Sequence, residues 1–413
     1  MRILHLTPEL PCWPGGTGGA TRQFHLLRRL VELGHQVTVV APLPAGDERR
    51  RAQLAEAGIQ LRAADRPASR AREAALALVR EPSLAVKALE RPVLAWQVSV
   101  FWTMLRPLAL DEIRESRPDI VTIEHDNAAH WVGDLPADIP TALVLQNVGR
   151  HYYDSRQRSA RGVRRAWFAL EKRRFAKHDR HWLTRYATLI AVSDRDAEEL
   201  RGLLSVPVEV VPNGVTSDEL TPRPPSRERE TLLFTGTLSH PPNAEGIRWF
   251  ADEVWPRVQR RRADARLLVV GRDAPASVLR LDDRDGIEVV GAVPDMAPYF
   301  DRATVVVVPL HSGGGTRLKI LEAFACERAV ASTAIGCEGL AVDDERELLI
   351  ADDAEGFAAA TLRLLDDSPL RLRLATAGRE LAERRYDWRV LGDQLAVALE
   401  RTAGYRSEPA GAA

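Results

Sequence analysis

The sequence predicts an α/β protein of two domains, each built on a parallel β-sheet, and three observations predict it. At 413 residues the chain exceeds what one hydrophobic core usually supports. Short apolar runs alternate with amphipathic stretches of helical length from one end to the other, which is the signature of βα units rather than of hairpins. Between two such series lies a run of mixed charge, 216–230, which holds Pro222, Pro224 and Pro225 and reads as a linker. No period of solenoid type is visible, only two Rossmann-like halves, 1–215 and 231–387.

In the first half, Ile3–Leu6 is a strand, Thr7–Gly19 a loop, Ala20–Leu33 an amphipathic helix stopped by Gly34, and Gln36–Val40 a second strand. The loop glycines Gly15, Gly16, Gly18 and Gly19 do not make the dinucleotide fingerprint, and no acid follows Val40-Ala41-Pro42 to hold an adenine ribose. Both features count against NAD. The loop is then either a surface turn or a contact for phosphate or sugar. Residues 49–117 read as mostly helical, interrupted by Pro67, Pro82, Pro92 and Pro107, and the aromatic middle 94–102 reads as a buried helix or an acceptor-facing surface. Asp119–Ile123 and Thr141–Leu145 are strands. They are followed by Glu124-His125-Asp126-Asn127, with His130 beyond, and by Gln146-Asn147. In an open parallel sheet the carboxyl ends of strands face the ligand, so these clusters stand where chemistry occurs, unless either histidine is a cap or a core residue.

From Arg158 to Arg185 ten Lys and Arg stand against two acids. Phe168, Phe175 and Trp182 recur every seven residues there and form an apolar stripe, which suits an anionic lipid or acceptor surface, or else docks into the domain core. Thr188–Val192, a helix capped by Ser193 and Val208–Val211 complete the half.

In the second half, Thr231–Phe234 leads to Gly236, Leu267–Val270 to Gly271 and Ile287–Val290 to Gly291, as expected where strand tips approach one shared ligand. Val305–Val308 leads into Gly313, Gly314, Gly315 and Thr316, and then into a ten-residue helix from Arg317 to Cys326. That helix is apolar almost all round, and Lys319 and Glu322 form its one polar strip. Arg317 and Lys319 fall in the first turn, where the macrodipole disfavours cations by roughly 0.3–1 kcal/mol, and no acid precedes them. A bound phosphate would resolve this. The alternative is a Gly-rich turn opening a core helix, with Lys319 and Glu322 as an ordinary i,i+3 ion pair. Helices over 354–385 and through Leu391, Leu395 and Leu399 finish the chain.

Fifty-seven Lys plus Arg balance fifty-eight Asp plus Glu, which argues against a general nucleic-acid binder. Cys12, Cys326 and Cys337 make no disulfide framework and no metal spacing, and a reducing compartment suits them. The first residues lack the apolar run of a signal peptide and no segment approaches a spanning length, so a cytoplasmic protein is expected, with an anionic membrane surface as a candidate partner. Asp283-Arg284-Asp285 looks like a metal-binding Asp-x-Asp but sits in a charged loop before Gly286, and reads as a solvated turn.

Taken in order, these pieces resemble the retaining nucleotide-sugar glycosyltransferases of glycosyltransferase family 4, the group 1 glycosyl transferases of GT-B fold. The likeness rests on Gly15-Gly16-Thr17-Gly18-Gly19 with Arg22, Gly34-His35-Gln36-Val37-Thr38-Val39, Ala191-Val192-Ser193 and Val211-Pro212-Asn213-Gly214-Val215. It continues through Phe234-Thr235-Gly236, Val269-Val270-Gly271 and the run from Gly314 to Ala323. It implies two Rossmann-like, doubly wound parallel-sheet domains facing across a cleft, with a C-terminal helix, 388–403, packing back on the first. It also implies a nucleotide-diphosphate sugar as donor, a saccharide or lipid-linked saccharide as acceptor, a role in polysaccharide or glycoconjugate biosynthesis, and neither cofactor nor metal.

In the family the acid at Glu322 binds the donor ribose and basic residues at Arg317 and Lys319 hold the diphosphate. Gly236, Gly313, Gly314, Gly315 and Thr316 are implied to bring backbone N–H groups to the donor, while Gly15, Gly16, Gly18 and Gly19 close on the phosphate from the other domain. Many members carry a second acid eight residues before Glu322, where this chain has Gly314, although a subgroup with the Gly-Thr-Arg-Leu-Lys pattern also lacks it. Many also carry a histidine where this chain has Gln146, which leaves His125 or His151 as stand-ins. Two other readings remain: a nucleotide-sugar 2-epimerase-like isomerase, and a catalytically dead nucleotide- or sugar-binding homologue.

Overall fold

The computed structural model describes residues 1–14, 16–44, 46–66, 70–146, 153, 157, 160–218, 220, 230–313 and 317–404. The chain divides into two compact units, Met1–Pro212 with Trp388–Ala413, and Asn213–Asp387. The first unit's sheet contains β1 (Arg2–Leu6), β2 (Gln36–Pro44), β3 (Gln60–Arg66), β4 (Ile120–Glu124), β5 (Thr141–Val144), β6 (Thr188–Ala191) and β7 (Val208–Val210). Their order is β3-β2-β1-β4-β5-β6-β7, and every pairing is parallel. β4 and β5 are buried along their whole length, as expected of strands covered on both faces, and the buried residues include the polar Thr122, Glu124 and Thr141.

One face of this sheet carries Ile3, Val37, Val39 and Ile120 into a core with Phe24, Leu26, Leu27 and Leu30 of the helix Gly18–Glu32. Leu391, Leu395 and Leu399 of the C-terminal helix Trp388–Thr402 complete that core, and Arg29 Nε donates to Asp393 Oδ1 at 2.8 Å across the pair. The other face carries Leu4, Leu6, Val121 and Ile123 against Val98, Trp102, Leu105 and Ile113 of the helix Val93–Ser116. Alternate residues of each strand thus feed opposite cores, as the two-residue period of a strand dictates.

The second sheet contains β8 (Thr231–Thr235), β9 (Arg266–Val270), β10 (Ile287–Gly291), β11 (Val305–Val308), β12 (Ala329–Ser332) and β13 (Leu349–Ile350). It runs β10-β9-β8-β11-β12-β13, again parallel, and one core wraps both of its faces. The four valines of β11 are fully buried at its centre.

Several expectations need correction. Residues 49–117 are mostly helical, as expected, but Gln60–Arg66 within them forms β3. That strand lies at the sheet edge, so only one side pairs and its polar residues can face water; neither its alternation nor its β-propensity shows in the sequence. The loop expected to run to Gly19 ends earlier: Thr17 caps the helix, its Oγ1 accepting from Ala20 N at 3.1 Å, so Gly18 and Gly19 are helical. Contrary to expectation, the helix Val93–Ser116 is long and apolar enough to cross a membrane by length and composition. Its buried side, however, packs in the core just described, and it carries Arg106 and Pro107 inside. Val215, assigned to the first domain, bridges Asp387 within the second unit, and Ser217 N donates to Asp387 Oδ2 at 3.2 Å. Residues 219 and 221–229 of the expected linker lie outside the described residues.

The tips of β8 and β9 meet at backbone distance. Gly236 N donates to the Val270 carbonyl at 3.1 Å, and a Cβ on Gly271 would overlap the Gly236 carbonyl oxygen. Gly271→Ala is therefore expected to destabilise the protein by about 1–3 kcal/mol or more. A denaturation midpoint equal to that of the wild type would contradict this contact.

Candidate functional site

The polar residues of the second sheet's tips converge on the start of one short helix. It spans Leu318–Ala325, so Arg317 stands just outside it, at the cap, and the expected ten-residue helix is shorter at both ends. No acid lies in its first turn. Arg317 is buried, and its Nη2 donates to the carbonyl oxygens of Gly313 at 2.9 Å and Ile335 at 3.3 Å. Gly313 itself has φ +105°. Burial holds the Arg317 guanidinium below its ordinary pKa.

Lys319 does not pair with Glu322, as the plainer reading of the helix would have it. Its Nζ donates to Asn243 Oδ1 at 2.8 Å and sits 4.4 Å from the centroid of the Phe234 ring. Asn243 is oriented by its own Nδ2, which donates to the Thr237 carbonyl at 2.9 Å. Gly236, at φ +147°, lies directly beneath, since a Cβ there would reach 3.0 Å from Lys319 Nζ. Burial lowers the Lys319 pKa to about 7; the Arg317 charge pushes the same way and Glu322 opposes it. Burial likewise raises the pKa of the Glu322 carboxyl, with Lys319 opposing. This arrangement can receive an anion beside two cations and offer a carboxylate to hydroxyl groups one turn further on.

In the first unit, the tips of β1, β4 and β5 hold a second polar cluster. Glu124, 2% exposed, has its pKa pushed up to about 7 by burial, against the pull of Arg22 and of a bond from Gln146. Gln146 Nε2 donates to Glu124 Oε1 at 2.6 Å and to the Gly19 carbonyl at 3.3 Å. Arg22, also buried, donates to the Val211 carbonyl at 2.7 Å and to that of Pro212. His5 lies 2.8 Å from Thr122 Oγ1 and 3.2 Å from Gln23 Oε1, and burial lowers its pKa to about 4. His125 adopts φ +73° and places Nε2 4.0 Å from Glu9 Oε2; burial, then His5, lowers its pKa to about 4. Glu9 Oε1 accepts from Thr17 Oγ1 at 2.6 Å.

The second unit thus brings Arg317, Lys319, Glu322, Gly236 and Gly313 together, while the first brings His125, Gln146, Gly16, Gly18 and Gly19 to the carboxyl-end side of its central strands. Gly15, Gly314, Gly315, Thr316 and His151 lie outside the described residues. His130 is a buried residue on Ser99, its Nε2 3.0 Å from the hydroxyl. The stripe Phe168–Phe175–Trp182 is not the exposed one: Phe175 is fully buried and the other two are partly covered, so they dock inward. Asp285, of the Asp-Arg-Asp run, accepts through its carbonyl from Trp255 Nε1 and Gln259 Nε2, a capped turn. Glu124 belongs to the cluster singled out after β4, whereas Asn243 and Glu9, and the role of Phe234 as a seat for Lys319, escaped sequence reading. Asn243 had the one available signal, a polar residue in the first turn of an apolar helix, Pro241–Trp249.

Two Rossmann-like units with these strand orders define a protein of the GT-B class, and solved structures share that fold. Sucrose-phosphate synthase from Thermosynechococcus elongatus superposes with a TM-score of 0.69 at 16% identity, over 97% of this chain and 99% of that one. HepE from Anabaena, solved with UDP-glucose, gives 0.63 at 13% identity, over 97% and 100%. The family model Glycosyltransferase Family 4 matches residues 16–219, and Glycosyl transferases group 1 matches 229–367. The chain belongs to this family of glycosyltransferases. Phosphatidyl-myo-inositol mannosyltransferase from Mycolicibacterium smegmatis is 31% identical over 226 residues, 52% of this chain and 57% of that protein. An uncharacterized 44.6 kDa protein of the Klebsiella pneumoniae cps region is 28% identical over 135 residues, 31% and 35%. The chain therefore spans little more than half the length, or less, of these curated relatives.

The Lys319 environment makes a pH prediction. Its folded-state pKa of about 7 is depressed from 10.5, so between those values the unfolded chain binds the extra proton and stability rises with pH. Below that window the charged lysine carries its full cost. Lys319→Met should therefore compare best with the wild type at pH 6, and its relative melting temperature should fall as the pH climbs toward 10. A difference in Tm that does not change with pH would show that the lysine is not desolvated.

Proposed function

We propose that this protein transfers a hexosyl group from a nucleoside-diphosphate sugar to a saccharide or lipid-linked saccharide, with retention at the anomeric carbon and without a metal. The observation that carries the reading is the pairing of Arg317 and Lys319 at the start of one helix, Lys319 being held by a neutral amide instead of a carboxylate. A cation desolvated without an acid partner is costly, and an incoming diphosphate removes that cost. When the bond between the anomeric carbon and the diphosphate oxygen breaks, the electron pair stays on the leaving group. Preorganised cations that meet this developing charge are worth most there, and they supply what a divalent ion would otherwise supply. Glu322 is assigned to the ribose hydroxyls, and Gly236 and Gly313–Thr316 to the donor phosphates and sugar. Gly15, Gly16, Gly18 and Gly19 are assigned to the phosphates from the first unit, and His125 and Gln146 follow the tips of β4 and β5.

The names of relatives support the two substrate classes. One relative is a phosphatidyl-myo-inositol mannosyltransferase and one structural neighbour holds UDP-glucose. A membrane-bound acceptor fits the helix Gly162–Trp182, though not through the stripe Phe168–Phe175–Trp182, which takes the second of its two readings and docks inward. Val163, Trp167 and Leu170, at i, i+4 and i+7, are 87%, 43% and 49% exposed, and Arg161, Arg164 and Arg165 on the same stretch of chain are exposed as well. We therefore assign this face to an anionic membrane surface, with the protein peripheral on the cytoplasmic side.

Incubation with a panel of nucleotide sugars separates the readings by product: nucleoside diphosphate plus glycoside supports transfer, an epimerised donor marks an isomerase, and no product marks a binding homologue. Arg317→Gln or Lys319→Met should cut turnover by about 10²–10³, the usual effect of losing one transition-state donor. Glu322→Gln should weaken donor binding, the charge-assisted bond being worth about 1.5–3 kcal/mol. Unchanged nucleoside-diphosphate affinity in all three variants would defeat the site assignment. The membrane assignment is checked by co-sedimentation with phosphatidylglycerol and phosphatidylcholine vesicles. Binding should favour the former, weaken as salt shortens screening below about 10 Å, and fall in Trp167→Ser; equal binding to both lipids would reject it.

A further inference from the structure

Gln146 stands where many family members carry a histidine, yet its side chain is turned into the protein's own framework. Its amide nitrogen has two protons. One goes to Glu124 Oε1 at 2.6 Å and the other toward the Gly19 carbonyl at 3.3 Å. The backbone comes so near that a Cβ on Gly19 would lie 2.8 Å from Gln146 Oε1, so only glycine leaves room for this contact. Three residues further along the helix, Arg22 faces Glu124 electrostatically and grips the carbonyls of Val211 and Pro212. The start of the helix Gly18–Glu32 is thereby fastened to the tips of β4 and β5 and to the chain beyond β7.

We propose that Gln146 and Glu124 are positioning residues: the pair fixes the backbone at Gly18 and Gly19, and Gln146 serves the donor through that backbone rather than by touching the sugar. The proposal rests on the donor-binding role assigned above to Gly16, Gly18 and Gly19. A carboxylate withdrawn from water is a strong acceptor for the amide, and Glu124 is buried where few other groups can compete for it. The charged and titratable groups that face it are Arg22 on the helix, His5 on β1, with Nε2 3.9 Å from Oε2, and Glu9 in the opening loop. Because burial raises the Glu124 pKa to about 7, the tie is charge-assisted above neutral pH and weakens as the carboxyl takes up a proton below it.

Amide hydrogen exchange at Ala20 and Thr21, whose N–H groups bond to Thr17, reads the tie directly in the ligand-free protein. Gln146→Leu should lower their protection factors by up to about tenfold, the weight of one net hydrogen bond. Glu124→Gln, which keeps an acceptor but loses its charge, should lower them less and flatten their dependence on pH near 7. The double variant should be no worse than Gln146→Leu alone. In steady state, Gln146→Leu should raise the donor KM and weaken UDP or GDP binding while kcat at saturating donor holds. Unchanged protection in Gln146→Leu, or additive losses in the double variant, would overturn the tie. A fall in kcat with UDP and GDP affinity intact would instead make Gln146 a sugar contact and overturn the positioning role. Exchange is measured without ligand, so a wild type that binds neither nucleotide would defeat the donor-site reading while the tie is still decided on its own.

Discussion

A positive charge drawn out of water onto an aromatic ring is the interaction on which the second unit's site depends. Lys319 can be held at Phe234 only because Gly236 has no side chain beneath it and because Asn243 presents an oxygen rather than a carboxylate. Each of those three conditions comes from a different segment: the end of β8, the loop after it, and the first turn of the helix Pro241–Trp249. The close meeting of Gly236 and Gly271 fixes the β8 tip against β9, so the backbone that frames the lysine belongs to the sheet itself. An acid in place of Asn243 would neutralise the lysine before any ligand arrived, and the cation would lose its differential grip on a leaving group.

The first unit uses the opposite charge in the same manner. Glu124 is a carboxylate buried at a strand tip, and what it holds is backbone. Arg22 lies beside it and spends its hydrogen bonds on carbonyl groups, so acid and base are neighbours without cancelling each other in a close ion pair. Both units therefore keep desolvated ionisable groups beside the carboxyl ends of parallel strands, where a doubly wound sheet leaves room for ligands.

Much of this was legible in the sequence for a physical reason. A strand covered on both faces is mostly apolar, and four successive valines, Val305–Val308, can hardly be anything else. The cations Arg317 and Lys319 also showed as a local contradiction, since they stand at the start of a helix with no acid in its first turn. β3 was hidden because an edge strand can be written in residues such as Gln60, Arg62 and Asp65 that carry no strand signal. The partner of Lys319 was hidden because Asn243 is 76 residues away, and only the tertiary fold decides that an amide wins over Glu322, three residues along the same helix. Phe168, Phe175 and Trp182 left two readings open because a seven-residue spacing fixes one helical face without saying whether that face meets lipid or the core.

The last helix has a consequence for how the protein comes into being. Leu26, Leu27 and Leu30 lie against Leu395 and Leu399, and one domain's core is thus shared between the two ends of the chain. A ribosome making this protein releases the whole of the second unit before it supplies the residues that close the first. For most of synthesis, then, the opening α/β unit carries an uncovered leucine face, the kind of surface that engages chaperones or other nascent chains. The second unit, continuous from Asn213 to Asp387, has no such debt and can complete its core while the first still waits.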